Sequence, residues 1–305
     1  MSLQFLLQQC LIGLTNGALV ALIALGYTMV YGIIRLINFA HGDLIMLGCC
    51  LALSLVGAAG LAGSGPLATW VGVVLLVAAC GLFCGGLNVA VDRVVYRPLR
   101  SAPKLAPLVS AIGVSFIFMN AGLFWLGPAD RSFPDLLPAA NLFPGGWLQF
   151  TTKDLLVLLV VVPLMVAVTT FVKTTRLGKA MRAVSQDPTA AALVGVDVDR
   201  VIASTFFIGG FLGGAASVIY GLYINTISFQ MGFTNGLYAF TAAVLGGIGS
   251  LPGAVVGGLV IGLVRALTSA YVGEKWTGAV VFAILIVILV FRPEGLLGRG
   301  TKEKV

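Results

Sequence analysis

Long apolar runs recur along this 305-residue chain, at about residues 10–33, 43–62, 68–91, 105–126, 155–172, 201–224, 236–268 and 276–291. A run of about 18 residues or more is long enough to cross a hydrocarbon core about 30 Å thick. It must cross as a helix, because no water is present there to satisfy an open backbone. The runs therefore predict an all-α, polytopic membrane protein with about eight transmembrane segments, forming one transmembrane domain over residues 1–305. Charge agrees: 10% of the residues are Asp, Glu, Lys or Arg, against about a quarter in a soluble domain.

The charges that remain are clustered, and their placement orients the chain. Arg93, Arg97, Arg100 and Lys104 form one cluster, Lys173, Arg176, Lys179, Arg182 and Arg200 a second, and Arg292, Arg299, Lys302 and Lys304 a third. Short basic loops stay on the cytoplasmic side, so all three clusters, and the C-terminus with them, are expected there. The formal charge of +7 then needs no nucleic acid to explain it. Residues 127–153, rich in Pro, Asn and Gly, fit the outer face. The opening residues lack the basic start and small-residue cleavage site of a removable signal peptide, so the first helix is expected to be retained. Cys10, Cys49, Cys50, Cys80 and Cys84 all lie in apolar segments. There they read as packing residues rather than disulfide partners or metal ligands.

Two of the apolar stretches are interrupted. The segment 236–268 is too long for one plain span and contains "GGIGSLPG", with Gly246, Gly247, Gly249, Pro252 and Gly253. Backbone leaving a helix at membrane depth must face a cavity or a tightly packed neighbour. In the first half, "YGIIRLINFAHGDLIMLG" sets Arg35, Asn38, His41 and Asp43 between apolar runs. Three readings stand for these residues. Arg35 and Asp43 could sit at the membrane interface, or Asn38, His41 and Asp43 could satisfy the open groups of a broken helix beside a pathway. His41 and Asp43 could also form a proton relay. A plain span, an interrupted one and another plain one occur at 10–91 and again at 201–291, a pattern of internal duplication. Its sense, parallel or inverted, stays open, as does the side of the N-terminus. Interrupted segments in matching places point to a transport pathway.

Small residues recur every four positions at Gly209, Gly213, Ser217 and Gly221, and at Ala254, Gly258, Gly262 and Ala266. Such stripes serve close helix packing, within the chain or between subunits. The phosphate loop G-x-x-x-x-G-K-[ST] is missing, since Gly178-Lys179 is followed by Ala180. A nucleophile elbow and a His-rich metal motif are missing too. No enzymatic activity, metal or cofactor is expected of the chain itself.

The inner loop "TTRLGKAMRAVSQDPTAAALVGVDVDRV" is more than a connector. Asp187 suits an N-cap and Pro188 the first helical position, giving a short helix closed at Gly195. A short exposed helix with an Ala face fits a groove on a partner.

With "GYTMVYGIIRLINFAHGDLIMLG", "GKAMRAVSQDPTAAALVGVDVDRVIA", "AFTAAVLGGIGSLPGAVVGG" and "RPEGLLG", the chain resembles, over essentially its whole length, the permease of a bacterial branched-chain amino acid ABC importer, the shorter of its two permeases. The resemblance implies an inner-membrane import subunit that forms half of a pathway. Its implied partners are a second, homologous permease, two cytoplasmic ATPases and a periplasmic amino-acid-binding protein. It makes residues 173–200 the ATPase-coupling loop, with Arg176, Gly178, Arg182, Asp187, Pro188, Ala190, Ala191 and Gly195 in it. Against the E-A-A-x-x-x-G pattern common in such loops, Thr189, Ala190, Ala191 and Gly195 match with Thr replacing Glu, and the usual downstream Leu-Pro is missing. A urea or short-amide importer of the same superfamily and a proton-coupled secondary transporter are the alternatives.

Overall fold

The computed structural model describes residues 3–60, 66–100, 102–103, 105–137, 139–143, 145, 147–292 and 294–298. Lys104, Arg299, Lys302 and Lys304 lie outside them. In chain order the helices are α1 Leu3–Ile34, α2 Ala40–Ala59, α3 Pro66–Val91, α4 Leu105–Leu126, α5 Thr152–Thr174, α6 Arg176–Gln186, α7 Pro188–Leu193, α8 Val198–Ile224, α9 Met231–Gly246, α10 Leu251–Tyr271 and α11 Glu274–Phe291. A π-helical turn, Asp92–Tyr96, extends α3. The strands β1, Arg131–Ser132, and β2, Thr226–Ile227, pair antiparallel. Among the described residues eight helices are long and apolar enough to cross a membrane, α9 falling short. The protein is an all-α, polytopic membrane protein.

The bundle has a basic end, where Arg97 and Arg100 both pair with Asp199 at 2.5 Å and so tie the α3–α4 turn to the start of α8. At the other end Gln8 exchanges two 2.9 Å hydrogen bonds with the backbone of Gln149. The chain thus enters α1 away from the basic loops. α1 is apolar around its circumference, and every residue from Gly17 to Val30 is buried. That is the pattern of a helix surrounded by others.

Small residues set the helix spacing. A Cβ placed on Gly262 would lie 2.2 Å from Gly17 Cα, and one on Gly258 would lie 2.4 Å from Ala21 Cα, so α10 runs antiparallel against α1 with backbones nearly touching. Gly210 and Gly214 of α8 meet the carbonyls of Cys84 and Cys80 in α3 in the same way. The small-residue stripes are used inside the chain: Gly209 faces Gly26, Gly213 faces Ile45 and His41, Gly221 faces Phe133, and Ser217 lies against Gly48. The cysteines pack as well, Cys49 Sγ donating to Ser217 O at 3.1 Å and Cys84 Sγ to Leu44 O at 3.2 Å.

The duplication is inverted. α1 descends to the basic end, the chain turns back through Arg35–Phe39, and α2 starts beside Gly26 and runs away from the basic end. α8 ascends from the basic end, the chain turns back through residues 225–230, and α9 starts beside Gly42 and runs toward the basic end. Both reversals are made by a left-handed residue, Arg35 at φ 52° and Asn225 at φ 59°. α2 and α9 therefore begin back to back in mid-bundle. A Cβ on Gly42 would lie 2.4 Å from Gly232 O, so only glycine lets the two starts touch.

This geometry corrects the reading of 236–268 as a single interrupted span. "GGIGSLPG" is the tight turn of an α9–α10 hairpin: Gly246 and Gly253 face each other, with a Cβ on Gly246 falling 1.9 Å from Gly253 O. The turn lies at the basic end, where Leu296 N and Leu297 N donate to Leu245 O and Gly246 O at 2.8 and 2.9 Å. Gly249 lies against Gly32 at the foot of α1. Gly and Pro supply the reversal, with Gly247 and Gly249 both at positive φ and Pro252 in the first turn of α10. The second break is instead residues 225–230, which lead from the end opposite the basic loops to the mid-bundle start of α9 and contain neither Gly nor Pro.

Candidate functional site

The four polar residues set between the first apolar runs divide between two places. Arg35 is exposed at the basic end. Asn38, His41 and Asp43 are buried, and Asp43 lies level with Ser115, the midpoint of α4. Arg35 and Asp43 therefore do not share one place, Asp43 lying in the interior.

Neighbours close the first break. Asn38 Nδ2 donates to Asn88 Oδ1 at 3.0 Å, Asn88 Nδ2 to Phe206 O at 2.7 Å, and Tyr96 OH to Ile37 O at 3.2 Å. Tyr96 thus meets an open backbone carbonyl of the break, while Asn88 and Tyr96 together hold the Asn38 side chain, which bonds no backbone of its own break. The signal for Asn88 is its place as the sole amide in the apolar stretch of α3. The imidazole of His41 packs edge-on to Tyr27 with ring centroids 4.7 Å apart, and neither of its nitrogens has a hydrogen-bond partner.

Asp43 lies in the first turn of α2, where a helix N-terminus favours an acid. Its Oδ2 accepts a hydrogen bond from Ser115 Oγ. Its Oδ1 turns toward Gly232 in the first turn of α9 and has no partner.

Beside this carboxylate lies a cavity of about 540 Å³ between the starts of α2 and α9 and the middle of α4. Phe39, Ile112, Phe116, Met119 and Phe233 give it apolar walls; Ser115, Gln230 and Thr234 are its polar lining. Phe116 and Phe233 are more than half exposed, so the cavity is a groove open on one flank of the chain. Ser115, Gln230 and Thr234 are absent from the sequence expectations. Their signal is an internal echo: Ile37-Asn38-Phe39 with Gly42 matches Ile227-Ser228-Phe229 with Gly232, which marks 225–230 as the twin of the first break.

At the basic end, α6 and α7 form an elbow outside the crossing helices. Thr175 Oγ1 caps α6 by accepting from Gly178 N at 3.0 Å. Gly178 lets α6 press onto the carbonyls of Phe171 and Val172, and Arg182 donates to Val172 O. Asp187 Oδ1 accepts from Thr189 N at 2.8 Å and Ala190 N at 3.0 Å, with Pro188 at the first helical position. Gly195 ends the motif at φ 86°, and Val196 N returns to Ala191 O at 3.0 Å. One expectation changes here. Ala191 is buried against the chain itself, and the outward residues are Thr189, Ala190, Ala192, Leu193 and Val194, the last two 85% and 79% exposed.

A groove between two helix starts that meet mid-bundle in an inverted repeat is the arrangement of a membrane transport protein. Residues 9–289 match the family described as branched-chain amino acid transport system / permease component, and the chain belongs to that family. It is 42% identical, over 100% of both chains, to the high-affinity branched-chain amino acid transport system permease protein LivH of Salmonella typhimurium. It is 40% identical, over 98% of both, to BraD of Pseudomonas aeruginosa, which carries the same description. The autoinducer 2 import system permease protein LsrD of Escherichia coli is 26% identical over 93% of this chain and 83% of its own. No solved structure matches the chain.

Proposed function

We propose that the chain is a permease subunit of an ATP-driven importer for branched-chain, apolar amino acids, forming half of the translocation pathway. The observation that carries this is identity of 40–42% along the whole chain to permeases of that description. Ionisable groups are scarce in the crossing helices, which favours energy supplied from outside the chain. On this reading two cytoplasmic ATPases hydrolyse ATP, a periplasmic protein delivers substrate, and a second, homologous permease covers the open flank of the groove. Residues 173–200 are the ATPase-coupling loop, docking through the exposed face of α7. The basic end, where α11 also ends, faces the cytoplasm of a bacterial inner membrane, in keeping with its arginines.

The test is uptake into proteoliposomes that hold the chain with these partners. Labelled leucine, isoleucine or valine should accumulate with ATP and loaded binding protein, unaffected by protonophores. Uptake of urea or a short amide in their place would reassign the substrate. Accumulation driven by a pH gradient alone would overturn the ATP-driven reading.

A further inference from the structure

We infer that the mid-bundle groove is the permease's own recognition site for a zwitterionic apolar amino acid, holding the ammonium at Ser115 backed by Asp43. The inference rests on the function proposed above and assigns residues to it.

Three independent features converge. A volume of about 540 Å³ falls in the range of small-ligand sites, roughly 300–1,000 Å³. Asp43 is fully buried, and one of its oxygens has no partner. An unsatisfied buried carboxylate oxygen is expensive, and a cation brought close to it lowers that cost. Ser115 joins the two: its hydroxyl gives its proton to Asp43 Oδ2 while the residue lines the groove. With its proton committed inward, the hydroxyl oxygen keeps lone pairs for an incoming N–H donor. The carboxylate behind polarises it and supplies the negative charge that an ammonium seeks.

The rest of the lining fits the other two parts of such a ligand. Gln230 precedes α9 without capping it and offers an amide donor; Thr234 offers a hydroxyl. Neutral donors suit the ligand carboxylate here, because Asp43 is near and a carboxylate held beside it would be repelled. Phe116 and Phe233 bound the space left for an apolar side chain. They set its size and supply no polar contact.

The experiment uses the complete transporter in proteoliposomes with ATP and saturating loaded binding protein, assembly being checked by co-purification of all subunits. Ser115→Ala and Asp43→Asn should each lower the leucine uptake rate about tenfold. Phe116→Ala should raise the phenylalanine-to-leucine rate ratio several-fold, a change that general loss of folding would not produce. If Asp43→Asn fails to assemble, Ser115→Ala and the Phe116→Ala ratio decide. Wild-type uptake of leucine, with Ser115→Ala at the wild-type rate and an unchanged ratio, overturns the site and leaves the function standing. A wild-type transporter that carries no apolar amino acid overturns both.

Discussion

Two glycines of α2 should respond in opposite directions to the same substitution. At Gly42 a Cβ would lie 2.4 Å from Gly232 O and 2.6 Å from Gly236 Cα. Both obstacles are backbone of α9, so no rotamer change relieves them. Ordinary contact begins near 3.4 Å, so α2 and α9 must separate by about 1 Å at the point where the inverted halves meet. Forcing a methyl into a packed interior costs about 1–3 kcal/mol. At Gly57 a Cβ meets nothing within 4 Å, and replacing a helix-interior glycine by alanine gains about 0.5–1 kcal/mol.

Thermal unfolding of the detergent-purified protein reads the difference directly. Gly42→Ala should unfold several degrees below wild type, and Gly57→Ala at or slightly above it. In the reconstituted transporter Gly42→Ala should also slow uptake, because the groove lies against the displaced helix starts. Equal midpoints and equal uptake for Gly42→Ala and wild type would refute the close backbone contact and, with it, the back-to-back arrangement of α2 and α9.

Leu193→Asp with Val194→Asp should abolish retention of the ATPases during co-purification and cut uptake at least tenfold while membrane insertion is kept; retention at wild-type levels would show that α7 docks on nothing. Asn225→Gly should destabilise and Arg35→Gly should not. Glycine relieves the left-handed backbone in both, but Asn225 also bonds Lys153 at 2.5 Å and Asp135 at 2.8 Å while Arg35 is exposed; equal thermal midpoints would refute this. At the end opposite the basic loops, the hydrogen bond from the Lys153 ammonium holds the Asp135 carboxyl below its usual value. A depressed folded pKa gives stability that is present above the unfolded value, about 3.9, and lost as pH falls through the folded one. Lys153→Met should therefore lower the unfolding midpoint more at pH 6 than near pH 2, where only the bond from Lys153 to Asn225 is still lost; a constant difference across that window would sink the assignment.

The crossing helices are legible in the sequence because hydropathy over about 20 residues depends on composition alone. The α7 cap is legible too, since Asp187-Pro188 and Gly195 each have a local physical reason to be there. The course of the chain after a break is not local. Gly246–Gly253 reads as a break either in a folded-back hairpin or in one interrupted span, and the two differ only in tertiary contacts of α9 and α10. The reversal at 225–230 has no Gly or Pro to announce it; Asn225 tolerates the left-handed turn through its side-chain bonds, and only the echo of Phe39 and Gly42 in Phe229 and Gly232 reveals it. Asn88 and Ser115 escape for another reason: each is one ordinary polar residue whose importance lies in what the fold sets opposite it.

The meeting of two helix starts also explains why an acid occupies position 43. Each helix start carries about half a positive charge, and here the starts of α2 and α9 face one another in mid-bundle. Left bare, they would repel. Asp43 belongs to one of these first turns and directs Oδ1 at Gly232 in the other, so one carboxylate answers both. Because it serves two partly positive ends rather than one full cation, it keeps attraction to spare for a transient ammonium, without binding it so tightly that release fails. The contact that brings the ends together is glycine against glycine, with Phe39 packed on Phe240 of α9 beside it, ring centroids 5.8 Å apart.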